Sequence, residues 1–198
     1  MSLRVERLTG NALADAVPEL AQLRMTVFRD WPYLYDGTLV YERDYLATFS
    51  AASGAVVVAA YDADAMIGAA TAAPLLGSAA EFAEPFLARK DNPEKIFYFG
   101  ESVLLTPYRR KGLGHAFFDH RETHARSLGR FSLAAFCAVQ RPADHPLRPQ
   151  DYVPLDAFWR KRGFEKADGL TTSFSWKDVD QPDETAKPMQ FWIKALDR

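Results

Sequence analysis

The segment Leu105-Thr-Pro-Tyr-Arg-Arg-Lys-Gly-Leu-Gly114 holds Arg109-x-x-Gly112-x-Gly114 between an apolar run and a helix-period pattern. Upstream, Ile96-Phe-Tyr-Phe-Gly-Glu-Ser-Val-Leu-Leu105 is rich in β-branched and aromatic residues and reads as a strand; residues 112–128 read as an amphipathic helix. The glycines therefore stand at a strand-to-helix turn. Glycine lets the backbone bend tightly and approach a ligand, and the unpaired N–H groups of a helix start attract an anion. Arg109, Arg110 and Lys111 add positive charge at the same point. The third glycine of Gly-x-Gly-x-x-Gly is missing, as is the Gly-Lys-Ser/Thr of the P-loop, so neither of those phosphate loops is present. Taken alone, the turn leaves open a plain reading in which the glycines only tighten it and the cations are solvated.

A second segment, Phe158-Trp-Arg-Lys-Arg-Gly-Phe164, closes a short helix at Gly163. Together the two segments resemble motifs A and B of the GNAT superfamily of acyl-CoA N-acyltransferases. The resemblance implies that residues Arg109, Arg110, Lys111, Gly112, Leu113 and Gly114 wrap the pyrophosphate of an acyl-CoA, acetyl-CoA above all, and that Phe158 and Trp159 flank its pantetheine arm. It implies an α/β (α+β) fold over residues 1–198 as one domain, with a mixed, twisted sheet of about seven strands and helices on both faces. The sheet would splay between the 96–105 and 131–139 strands, where the acyl-pantetheine arm pairs with exposed backbone. Backbone N–H groups of Val103, Leu104 and Leu105 would polarise the thioester carbonyl.

The rest of the chain supplies the elements in a compatible order. Leu3–Leu8 alternates apolar and charged residues as a strand with one wet face, and helices are expected near 11–28 and 39–49. Apolar strands at 55–61 and 66–73 follow, then a proline-bearing helical or loop insertion at 74–95. Strands at 170–176 and 189–195 close the chain.

Composition bounds the function. The 198 residues are 48% hydrophobic, enough for one sizeable core, and the net charge of −2 gives no reason to expect nucleic acid or a membrane as a partner. No run approaches the ~18 apolar residues of a membrane span and no secretory signal core stands at the start, so cytoplasmic residence is expected. Homodimerisation is left open. The single cysteine, Cys137, lies in an apolar run and reads as a buried small hydrophobe rather than a nucleophile, which favours direct transfer over an acyl-enzyme.

Amine acylation needs a base, an oxyanion donor and a route for the departing thiolate. Glu101 interrupts an apolar strand just ahead of the glycine turn and matches where many GNAT enzymes place a carboxylate, so desolvation there would suit a base. Its alternative is a wet-face or hydrogen-bonded glutamate. Many family members carry tyrosine four residues before the motif B glycine, and here Trp159 stands there. An indole N–H donates a hydrogen bond but not a proton. The acid would then be water, Tyr152 or His145.

The loop Gln140–Pro154 gathers Arg141, Asp144, His145, Arg148 and Asp151. An Asp144–His145 relay and an Arg148 contact with an acceptor carboxylate are one reading; a loop locked by its own salt bridges is the other. Helical phase puts Leu113, Phe117, His120, His124 and Leu128 on one stripe and His115, Glu122 and Arg126 opposite, and the paired histidines read as half-buried core rather than a metal site. The loop bearing Trp31, Tyr33 and Tyr35 would, by resemblance, wall the acceptor pocket, with the 77–95 insertion and its Glu81 and Glu84 helping; equally, these aromatics read as staples that hold the loop to the core. The reading is an acyl-CoA-dependent N-acyltransferase acting on a small-molecule amine without a metal. An inactive acyl-CoA-binding regulatory module and a protein N-acetyltransferase are the alternatives.

Overall fold

Apolar runs without alternation belong in the middle of a sheet, where both faces are covered. A computed structural model describes residues 3–78 and 80–196. In it the runs form antiparallel neighbours, β2 (Val56–Asp62) and β3 (Ala65–Pro74), with β1 (Leu3–Leu8) on the outer side of β2. With β4 (Ile96–Leu104), β5 (Leu133–Val139), β6 (Glu165–Lys177) and β7 (Glu184–Ala195) they make one seven-stranded sheet, ordered β1-β2-β3-β4-β5-β7-β6. Of its neighbouring pairs, β4 with β5 is parallel and the rest are antiparallel.

Side chains of β2 alternate between two cores, as a strand period of two requires. Val57 and Ala59 pack under α1 (Gly10–Phe28) and α2 (Leu39–Ser50), with Leu13, Leu20 and Leu46. Val58 and Ala60 pack under α4 (Leu113–Ser127), with Leu113 and Phe117. The 74–95 insertion contains α3 (Ala80–Ala88), whose Ala83 and Phe86 cover Tyr98 and Phe191, so it is helical rather than loop over nine residues. The short helix α5 (Asp156–Lys161) joins the aromatic cluster of Phe118, Phe136, Phe164 and Trp192 through Phe158 and Trp159.

Two expectations change. β6 begins at Glu165 and β7 at Glu184, each five residues before the expected strand, because an exposed strand start carries no hydrophobic signal; the register between them shifts between Lys166 and Thr171. On α4, Phe118, Arg121, Glu122 and Ala125 are buried while Leu128 is exposed. Glu122 was expected on the wet side, but α4 is covered by α5 and β7 as well as by the sheet. Its carboxylate meets Arg126 at 3.3 Å, Arg162 at 3.2 Å and Lys194 at 2.8 Å.

Where β4 meets β5 the sheet opens. Ile96, Phe97 and Tyr98 pair with Leu133, Ala134 and Ala135, and the pairing stops there. On the other edge of β4, Ala72 pairs with Phe99 but Ala70 pairs with Ser102, so β4 carries an extra residue, a β-bulge. Gly100 makes it feasible, since a Cβ there would collide with Thr71 Oγ1, the atom that accepts the Glu101 N–H at 3.2 Å. The bulge bends the second half of β4 away from β5 and brings Glu101 and Val103 to the α1 side.

Candidate active site

The glycine turn leaves a cradle of backbone amides at the start of a helix. Gly112, at φ 81°, and Arg110, at φ 65°, take left-handed conformations, and α4 starts at Leu113. The turn before them is closed by Tyr108 and Arg109 donating to Leu105 and Thr106, and the helix ladder begins with His115 and Ala116 donating to the Gly112 carbonyl. Between these, the five successive N–H groups of residues 110–114 donate to no backbone carbonyl among the described residues. Successive unpaired amides at a helix start form a site for phosphate oxygens. Arg109, Arg110, Lys111 and Gly112 are exposed beside it. A Cβ on Gly112 would meet nothing within 4 Å, so glycine is there for its backbone; Gly114 faces Phe158, 3.5 Å from where its Cβ would stand.

From this cradle the open edge of β4 leads into the sheet. Leu105 N–H donates to Ile67 O at 3.0 Å, so its amide is spent in the ladder. Bonded positions alternate along an antiparallel strand, which spends Val103 in the same way and turns Ser102 and Leu104 toward the gap. The expectation of three polarising amides at 103–105 is therefore corrected to one among them, Leu104, whose carbonyl is capped by Arg109 Nε at 3.2 Å.

Glu101 is not a lone desolvated carboxylate. Its Oε1 pairs with Arg24 of α1, which also pairs with the fully buried Glu42 of α2. No hydrogen bond to Glu101 Oε2 forms among the described residues. Burial by itself would pull the Arg24 guanidinium down, but Glu101, Tyr45 and Glu42 outweigh it and hold Arg24 above its ordinary range. On the other face, Arg121 is pulled down to about 9 by burial and supports the bulge, donating to Phe117 O, Thr71 O and Glu101 O at 3.2–3.4 Å. Arg24, Glu42 and Arg121 were missed from sequence. For Arg24 a signal existed, because it stands four residues after Leu20 and four before Phe28 on the buried face of α1.

Beside this pair lies a cavity of about 230 Å³, lined by Tyr45, Thr48 and Phe49 of α2, Thr71 and Ala73 of β3, Gly77, Ser78, Phe82, Tyr98 and Gly100. Tyr98 and Gly100 border the point where β4 leaves β5, so the cavity reaches the gap from the side of α1, α2 and α3. Burial raises the Tyr45 and Tyr98 hydroxyls, which stay protonated as donors. Gly77, Ser78 and Phe82 of the insertion line this cavity, while Glu81 and Glu84 lie exposed on α3.

The aromatic loop is stapled to the core. Trp31, Tyr33 and Tyr35 do not line that cavity. Tyr33 packs on Phe28 and Trp176, and burial, with Glu42 nearby, raises the Tyr35 hydroxyl. Trp31 packs on His145 and Tyr152, at ring separations of 5.1 and 5.8 Å. Arg141 fixes the loop by donating to Pro32 O, Tyr33 O and both oxygens of Asp178, at 2.6–2.9 Å.

These contacts correct the 140–154 loop. His145 Nδ1 accepts from Leu147 N, and among the described residues no hydrogen bond joins Asp144 to His145. Arg148 donates to Ala143 O and lies over the Tyr152 ring, and it does not line the cavity. Burial, with Asp156, raises the Tyr152 hydroxyl and makes it a weaker acid than a free phenol. Neither His145 nor Tyr152 lines the cavity. Trp159 packs against Phe136 and Trp192 at 5.0 and 5.1 Å. Cys137 is buried with its thiol pushed up to about 12, as suits a hydrophobe rather than a nucleophile. No helix among the described residues is long and apolar enough to cross a membrane.

No family model and no curated protein sequence matches the chain. Solved structures do. A GNAT-family acetyltransferase from Streptococcus pneumoniae is 11% identical, with a TM-score of 0.59 over 98% of this chain and 99% of that one. A ribosomal-protein-alanine N-acetyltransferase from Brucella melitensis is 14% identical, with a TM-score of 0.63 over 98% and 99%. An aminoglycoside 6′-N-acetyltransferase, solved with coenzyme A, is 15% identical, with a TM-score of 0.61 over 98% of each chain. The fold is that of the GNAT acetyltransferases.

Proposed function

We propose that this chain, built on the GNAT fold, is an acyl-CoA-dependent N-acetyltransferase that acts directly on a small-molecule amine. The observation that carries the reading is the run of unbonded amides at 110–114 placed at the head of the open β4 edge. A coenzyme A thioester fits both parts: the cradle suits its pyrophosphate, and the unpaired strand edge suits the amides of its pantetheine arm. When bound, it supplies the activated acyl group.

The chain's own residues do the rest. Residues 110–114 and the Arg109–Lys111 cations hold phosphate oxygens. Leu104 N–H donates toward the thioester carbonyl oxygen. Arg24 holds Glu101 by one oxygen and leaves Oε2 to take the proton of the incoming amine, directly or through one water. Water supplies the thiol proton, since Trp159 cannot.

Thiol release from acetyl-CoA against a panel of amines tests the reading, with wild type beside Glu101→Gln. Amine-dependent release that falls about 100-fold in the variant is expected. Tight coenzyme A binding, with no amine accelerating release and the variant equal to wild type, would leave a binding module instead.

A further inference from the structure

The cavity beside Glu101 carries a statement about the acceptor. Its outer end is at Thr48, which is exposed on α2, and its inner end at Thr71, Tyr98 and Gly100, where the sheet opens. An acceptor reaching the gap from this side would place its nitrogen at the inner end. The volume of 230 Å³ holds about eight water- or methylene-sized groups, below the usual range of drug-sized pockets. Tyr45, Phe49, Phe82 and Tyr98 give it ring faces and edges, which favour a ring over a flexible polar chain.

Charge decides what else the acceptor can carry. No lining residue is cationic; Arg24, over the Tyr45 ring, is shared by two carboxylates, and Arg121 is spent on the Phe117, Thr71 and Glu101 carbonyls. A carboxylate on the acceptor would be buried without a partner. An ammonium would instead arrive at Gly100, next in the chain to Glu101, whose carboxylate shares Arg24 with Glu42.

We infer that the acceptor is a primary amine on a compact aromatic or apolar group with no carboxylate, seated between α2, α3 and the bulge of β4. The inference rests on the transferase reading for the amine's fate but not for its binding. With acetyl-CoA as donor, 2-phenylethylamine is acylated with kcat/KM about 100-fold above that of 2-aminoethanol, the worth of burying one ring. Phenylalanine, which adds only a carboxylate, falls similarly behind. Thr48→Trp, placed at the exposed mouth, raises the KM for 2-phenylethylamine about tenfold and leaves coenzyme A affinity unchanged.

Should 2-aminoethanol or phenylalanine be the better acceptor, or Thr48→Trp leave the KM unmoved, the acceptor inference is overturned and the transferase reading stands. Calorimetry on the coenzyme A-bound protein separates the opposite failure. Heat from 2-phenylethylamine that disappears in Thr48→Trp, without thiol release, supports the site and removes the reaction. Absence of both heat and thiol release overturns the inference.

Discussion

Arg24 on the first helix closes on Glu101, the bulge residue of the strand that borders the open gap. The same guanidinium holds the fully buried Glu42, so one cation ties α1, α2 and β4 together beneath the cavity. Removing one partner of a buried ionic cluster leaves uncompensated charge, which destabilises by about 3–5 kcal/mol. Arg24→Met is therefore expected to lower the urea midpoint by that equivalent. Arg24→Met with Glu42→Gln should recover ~1 kcal/mol or more, because one stranded carboxylate is gone. A single variant within experimental error of wild type would show that the cluster does not hold these elements.

Gly112 is required by its backbone, not by space. Valine there pays left-handed strain of about 1–3 kcal/mol, relieved by turning the adjacent amides out of the cradle. The expected result is a folded protein, by circular dichroism, whose coenzyme A affinity falls tenfold or more while that for pantetheine, which lacks the pyrophosphate, changes little. Equal loss for both ligands would place the pyrophosphate elsewhere.

The glycine turn was legible because its work is done by the backbone: φ > 0 and unpaired amides leave a mark in residue type. The splay was legible only through the resemblance, and its local device, Gly100 opposite Thr71, left a single glycine as trace. Glu101 stood out as a charge in an apolar strand, but its partner lies on α1, and sequence spacing carries no sign of that. The same blindness affected Arg141, which reaches Asp178 rather than the charges of its own loop. The cavity assembles residues of α2, β3, α3 and β4 that meet only through packing, so the loop aromatics drew notice while Tyr45 and Phe82 did not.

Cys137 gives a pH-dependent prediction. Burial raises its thiol to about 12, against the lowering effect of Tyr98, whose hydroxyl lies 3.1 Å from Sγ. A folded value above the unfolded one, about 8.5, means the stabilisation is complete below about pH 8.5. It is lost as pH rises toward about 12. Iodoacetamide at about pH 8.5 should therefore label Cys137 only in denaturant. Cys137→Ala should flatten the fall of urea stability across that alkaline window. Rapid labelling of the native protein would contradict the burial.

Trp159 invites the substitution that would restore the tyrosine common in GNAT enzymes. Its ring packs against Phe136 and Trp192, and Arg160 next to it lies over the Trp192 ring, so the side chain is a packing element of the α5–β7 contact. A tyrosine in the same rotamer loses ring area there. It also carries its hydroxyl toward apolar neighbours, at a combined destabilisation of about 2–3 kcal/mol. With water as the source of the thiol proton, Trp159→Tyr is expected to lower stability and give no rise in kcat at any pH. A kcat gain accompanied by a new basic limb near the phenol range would show instead that the position faces the thiol, and would move the acid from water to residue 159.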